Sequence, residues 1–167
     1  MSIEGVFQIT LLLATLLCSL VAGFVFAFAV VVMPGIKTLS DREFIQAFQV
    51  MDRIIQNNQP IFVLVWVGSI GALMASAVLG IGQLEEPERL LIIFALLAYL
   101  LVVQLPTFTI NIPLNNKLQT LNVDALDETA QKAARMDFEP RWTRWNSIRT
   151  TFASLVSSLL IILLLRL

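Results

Sequence analysis

Four stretches of this chain, at about residues 6–33, 61–82, 89–111 and 147–166, are too long and too apolar to be surface helices of a soluble domain. Each is long enough to exceed the roughly 18 apolar residues that mark a bilayer-crossing helix. A chain that is 57% hydrophobic and only 14% charged points the same way. The expected fold is all-α, an integral membrane four-helix bundle forming a single four-span transmembrane domain over 1–167, in contact with the lipid bilayer. The segment before the first run carries Glu4 and no Lys or Arg, and the run is long, so it is predicted to remain as a helix rather than act as a secretory signal.

Positive flanks are retained in the cytoplasm, and here they are strongly one-sided. Lys37, Arg42, Arg53, Lys117, Lys132, Arg135, Arg141, Arg144 and Arg149 fall on one side, with only Arg89 and Arg166 on the other. Both termini are therefore expected outside the cytoplasm and both long loops inside it. Those loops are predicted to be helical. In the first, Ser40 and Glu43 have capping-box spacing, and Phe44, Phe48, Met51, Ile55 and Asn58 would share one face. In the second, Asp124 is placed to cap a helix with Lys132 and Arg135 in its last turn.

Several functions are excluded early. A net charge of −1 makes no electrostatic case for nucleic acid. Cys18 is alone, so no internal disulfide can form. Histidine is absent, which removes His-ligated haem, His-bound copper or iron, and a histidine general base. The acids are scattered without a repeated ligand spacing, and neither a metal nor another cofactor is expected. In the second span Gly68, Ala72, Ser76 and Gly80 recur at four-residue intervals, a face smooth enough for another helix to approach closely. Phe24, Phe26 and Phe28 in the first span read as packing.

Polar side chains gather in two places. At the end of the third span, "LPTFTINIPLNNKL" contains Pro106 and Pro113, which should end or kink the helix. Gln104, Thr107, Thr109, Asn111, Asn115 and Asn116 could then cap freed backbone groups, or Asn111 and Asn115 could be recognition groups in a pocket. In "EPRWTRWNSIRTTF", a fourth helix starting at Pro140 would put Trp142, Trp145, Asn146, Arg149 and Ala153 on one face. That face is either an aromatic belt with a snorkelling arginine or the wall of a site containing an inward guanidinium. Asp52 and Arg53 read as the solvated face of the loop helix.

In order along the chain, "AGFVFAFAVVVMPGI", "NIPLNNKL" and "RWTRWNSIRT" resemble the membrane family typified by anthrone oxygenases of polyketide pathways. The resemblance implies a small four-span protein and an activity that adds one oxygen atom to an activated tricyclic phenol without metal or flavin. It also implies that Asn111, Pro113, Asn115, Trp142, Trp145, Asn146 and Arg149 form the polar signature. Asp52, Asp137 or Glu139 would have to supply the general base, or the substrate would have to ionise in solution.

Three functions are compatible with these residues. The first is an oxygenase or binder of a flat hydrophobic phenolic molecule, with Asn111, Asn115, Trp142, Trp145, Asn146 and Arg149 contacting that aromatic small molecule. The alternative is a non-catalytic accessory or structural subunit of a larger membrane complex, in which the small-residue face of the second span and the aromatic face of the first meet a membrane protein partner or a second copy in a homo-oligomer. A transporter or channel fits least, because four spans are few and no charged ring or pair of broken helices is visible.

Overall fold

The computed structural model describes residues 2–167 and contains, among these, helices and short turns with no strand. Four helices are long and apolar enough to cross a membrane: α1 (Ile3–Ile36), α3 (Pro60–Gly80), α4 (Glu86–Gln119) and α5 (Glu128–Arg166). A fifth, α2 (Asp41–Gln56), lies between α1 and α3. The chain is thus a multi-pass integral membrane protein. Helices α1 and α3 pack along each other, α5 packs on α1 and α4, and α2 lies over the loop-side end of α4 and α5.

The cores are two. Within the spans, Leu11, Cys18, Val21, Val25, Leu73, Ile92, Tyr99, Val103 and Leu160 form the larger. Under the loops, Met33, Phe44, Ile45, Phe48, Leu114, Leu118, Phe138 and Trp142 form the smaller. Lipid is as apolar as these side chains, so close fit rather than water exclusion holds the first cluster together. In α1–α3 packing a Cβ on Gly68 would stand 3.1 Å from Leu17, and one on Gly80 3.2 Å from Phe7. The small-residue face of α3 is therefore covered by α1 of the same chain.

Helix α2 is held differently. Its Ser40 capping box forms, with the serine hydroxyl accepting from the Glu43 backbone and the Glu43 carboxylate accepting from the Ser40 N–H. Phe44, Ile45 and Phe48 are then almost fully buried, each worth about 1.5–3 kcal/mol. The exposed Arg42–Asp124 pair contributes about 0–1 kcal/mol, so burial decides the docking. The buried face runs Phe44, Ile45, Phe48, Gln49, Asp52, which turns the predicted face: Met51 and Ile55 are only half-buried and Asn58 is exposed, while Asp52 points inward. Asn58 adopts the left-handed conformation, φ 56°, in the short link to α3, a conformation asparagine tolerates better than most. Arg135 clamps the turn before α2, donating to the Lys37 and Leu39 carbonyls and to Asp41 while its Nε meets Glu139.

The predicted boundaries need three corrections. Pro106 does not end the third span; the helix continues to Gln119, widened into π-helical turns at Tyr99–Gln104 and Thr107–Asn111 on either side of the proline. The wider turns bond around the missing N–H, and the Thr107 and Thr109 hydroxyls donate to the Val103 and Leu105 carbonyls. Ile112 before Pro113 stays helical at φ −61°, ψ −47°. Pro140 does not start a helix, because α5 runs through it from Glu128. Met136 and Pro140 are both exposed, so water can reach the carbonyl that the proline leaves unbonded. The cap of α5 is Asp127, accepting from the Ala130 N–H, and not Asp124, which sits in a short 3-10 turn.

The α1–α3 seam makes a paired prediction. Gly80→Leu should lower stability in detergent by about 1–3 kcal/mol through overpacking, while Gly71→Leu, with open space at its Cβ, should leave the unfolding midpoint nearly unchanged. Equal effects would mean the seam is not tight.

Candidate functional site

Where the two cores meet, the helices enclose a cavity of about 330 Å³. The five helices reach it from different sides: α1 with Phe24 and Phe28, α2 with Phe48 and Asp52, α3 with Phe62 and Trp66, α4 with Thr107, Asn111 and Asn115, and α5 with Trp142, Asn146 and Arg149. Its walls are mainly aromatic. Phe62 and Trp66 stack at 5.2 Å and 26°, Phe24 meets both edge-on, and Phe28 and Phe48 pack against Trp142. Such walls suit the faces of a flat ring system.

Polar atoms enter this apolar wall at one end. Arg149 is 4% exposed, and its Nη1 donates to the Thr107 hydroxyl at 2.8 Å and its Nη2 to Asn146 Oδ1 at 2.9 Å. The Asn146 amide is in turn fixed on α1, donating to the Val25 carbonyl at 3.1 Å. The guanidinium lies 5.9 Å from the Trp142 ring. Among the described residues no Asp or Glu pairs with it, and its Nε is buried without a partner. Hydrogen bonds to a charged group contribute about 1.5–3 kcal/mol each, against a desolvation cost of several kcal/mol for an unpaired ion. The protein thus holds the cation in place and leaves its charge without a counter-ion. A second buried atom without a partner, Asn111 Oδ1, belongs to a residue of the same cavity; the Asn111 amide donates, at a long 3.4 Å, to the Trp142 carbonyl.

At the loop side a second network runs across three helices. Trp142 Nε1 donates to Asn115 Oδ1 at 2.7 Å, Asn115 Nδ2 donates to Asp52 Oδ1 at 2.8 Å, and Gln56 Nε2 donates to Asp52 Oδ2 at 2.6 Å. Asp52 is the one carboxylate among the residues lining the cavity. Burial lifts its pKa above the usual carboxylate range, and the two amide hydrogen bonds oppose that rise. A carboxylate so placed is a stronger base than one in water. Farther in, Trp66 Nε1 donates to Gln104 Oε1 at 2.9 Å and bridges α3 to α4.

Of the side chains singled out from the sequence, Asn111, Asn115, Trp142, Asn146 and Arg149 all line the cavity, and Trp145 does not. The asparagines of α4 cap no helix end. Asn115 spends both ends of its amide on Trp142 and Asp52, so it positions those groups. Asp137 pairs with Lys117 and Glu139 with Arg135, away from the cavity. Phe24 and Phe28 are walls of the site, whereas Phe26 is half exposed on the lipid face. Phe48, Phe62 and Trp66 were not foreseen, and Asp52 was placed on the solvated face. Its position four residues after Phe48 and eight after Phe44 was the available signal. Among the described residues no three His, Cys, Asp or Glu side chains gather as a metal site would need.

A family model described as anthrone oxygenase matches residues 48–160, more than half of the chain and every polar group of the cavity. No curated protein and no solved structure matches.

The burial of Asp52 fixes a pH dependence. The folded state holds this proton more tightly than the unfolded chain, so the Asp52 contribution to stability is fully present below the ordinary value of 3.8 and is lost as pH rises through the raised value. Asp52→Asn should remove that slope from a pH series of unfolding midpoints, and a slope identical to wild type would contradict the burial.

Proposed function

The chain belongs to the anthrone oxygenase family, and from that premise we propose that it binds the anion of a flat fused-ring phenol in the aromatic cavity and directs its oxidation by molecular oxygen. The observation that carries this reading is Arg149, a buried guanidinium with no carboxylate partner. An aromatic slot lined by an uncompensated cation fits a planar molecule that becomes negative, and an enolate or phenolate is one. Asn111 Oδ1 is free to accept from a ring hydroxyl.

The steps balance on oxygen alone. Asp52 accepts a proton from the ring carbon activated by the adjacent carbonyl system, leaving an enolate whose oxygen faces Arg149. That carbon bonds to molecular oxygen, giving a peroxide. The remaining hydrogen on the carbon leaves as a proton while the O–O bond breaks, so a carbonyl forms and water departs. One oxygen atom stays on the ring, the other becomes water, and the four electrons lost by carbon are those gained by oxygen. Asn146 and Thr107 hold the guanidinium, Asn115 aims the Asp52 carboxylate, and the aromatic walls exclude water. With the loops in the cytoplasm, as the charge asymmetry indicates, the polar end of the cavity opens toward that side.

The reading as an accessory subunit rests on the small-residue face of α3 and the aromatic face of α1; α1 packs on the first within the same chain, and Phe24 and Phe28 of the second line the cavity, which favours the phenol reading.

Arg149→Met keeps the length of the side chain and removes the charge. With an anthrone as substrate it should lower turnover about 100- to 1000-fold, the usual loss when an oxyanion donor is removed, with Arg149→Lys in between and the helical circular dichroism in detergent retained. Oxygen uptake together with quinone absorbance measures it. Full turnover in the Met variant would overturn the proposal.

A further inference from the structure

We propose that the ligand reaches the cavity sideways from the bilayer, between the first two turns of α3 and the middle of α4, and that it carries an apolar substituent which remains in that opening. This rests on the reading of the cavity as a phenol site and specifies its substrate class, an amphiphilic phenol dissolved in the membrane.

The geometry starts at the two bonds that tie α3 to α4, Trp66 to Gln104 at 2.9 Å and Ser69 to Tyr99 at 2.6 Å. From there toward the loops the helices part. Helix α4 is drawn to α5 and α2 by the Arg149–Thr107, Trp142–Asn115 and Asn115–Asp52 bonds, and the start of α3 makes no extended packing contact with Thr107–Asn111. The gap is bordered by Val63, Val67, Phe108 and Ile112, which line the cavity yet are 39%, 62%, 55% and 37% exposed. A side chain that does both joins the cavity surface to the outer surface of the bundle.

That outer surface is lipid. Val67 lies seven residues beyond Pro60, about 10 Å along α3 at 1.5 Å per residue, and hence within a hydrocarbon layer about 30 Å thick. All four bordering side chains are apolar, while Arg149 and Asn111 lie at the inner end. An amphiphile would therefore enter with its anionic head inward and its tail toward lipid. The other approach, past the exposed Asn58 at the loop side and beside Asp52, is polar and suits water and protons.

The test uses the full chain in phosphatidylcholine nanodiscs with two probes, naphthol and a naphthol bearing a dodecyl chain, followed by quenching of tryptophan fluorescence in stopped flow. Val63→Phe and, independently, Val67→Phe narrow the opening on a lipid-facing surface. Both should slow association of the dodecyl probe about tenfold, and slow that of bare naphthol, which leaves no chain in the opening, by a smaller factor. Asn58→Gly, which widens the loop-side approach and suits its left-handed backbone, should not change the association rate. Unchanged association in both narrowed variants overturns the lateral route, as does faster association seen only in the Asn58 variant. If bare naphthol does not bind wild type, the phenol site itself fails; if it binds and the dodecyl chain weakens binding, only the substrate class proposed here fails.

Discussion

A guanidinium without a counter-ion, set in a bundle of apolar helices, is the constraint around which the rest of this structure is arranged. Arg149 cannot reach water at 4% exposure, so the protein must solvate it. Thr107 from α4 and Asn146 from its own helix do so, and Asn146 is itself anchored to the Val25 carbonyl on α1. The result joins three membrane helices through two side chains, Arg149 and Asn146. Two hydrogen bonds orient the charge without neutralising it, and that is the state in which a positive group does most for an anion bound beside it.

The helix that meets Arg149 is unusual for the same reason. Between Tyr99 and Asn111, α4 widens twice into π-helical turns around Pro106. Gln104, Thr107 and Asn111, at i, i+3 and i+7, are all buried, so the widened turns keep one polar face inward past the proline. The Thr107 and Thr109 hydroxyls donate to the Val103 and Leu105 carbonyls of the same helix, and so are satisfied within a span that holds no water for them.

Much of this was legible in the sequence. Four long apolar runs require spans, and polar residues inside such runs need partners, so Asn111, Asn146 and Arg149 stood out before any coordinates. The capping box at Ser40 and Glu43 formed as its spacing required. What local rules misjudged was proline: Pro106, Pro113 and Pro140 all lie inside helices that continue past them, because tertiary packing outweighs a cost of about 3 kcal/mol apiece. Asp52 was read as solvated because a carboxylate on a loop helix usually is. Its burial depends on Asn115, sixty-three residues away in the chain, a contact no local pattern encodes. The walls from Phe62 and Trp66 were hidden for a related reason, since on a helix apolar all round periodicity cannot tell the cavity side from the lipid side.

The central claim is that the cavity stabilises a negative charge on an aromatic ring, and the most direct measurement is the ionisation of a bound phenol. Naphthol and its anion absorb at different wavelengths, so a spectrophotometric titration of naphthol bound to the detergent-solubilised protein reads its pKa in place. The account predicts a value below that of naphthol in detergent alone, because Arg149 favours the anion. A value above it would mean that desolvation dominates and that the cavity binds neutral molecules.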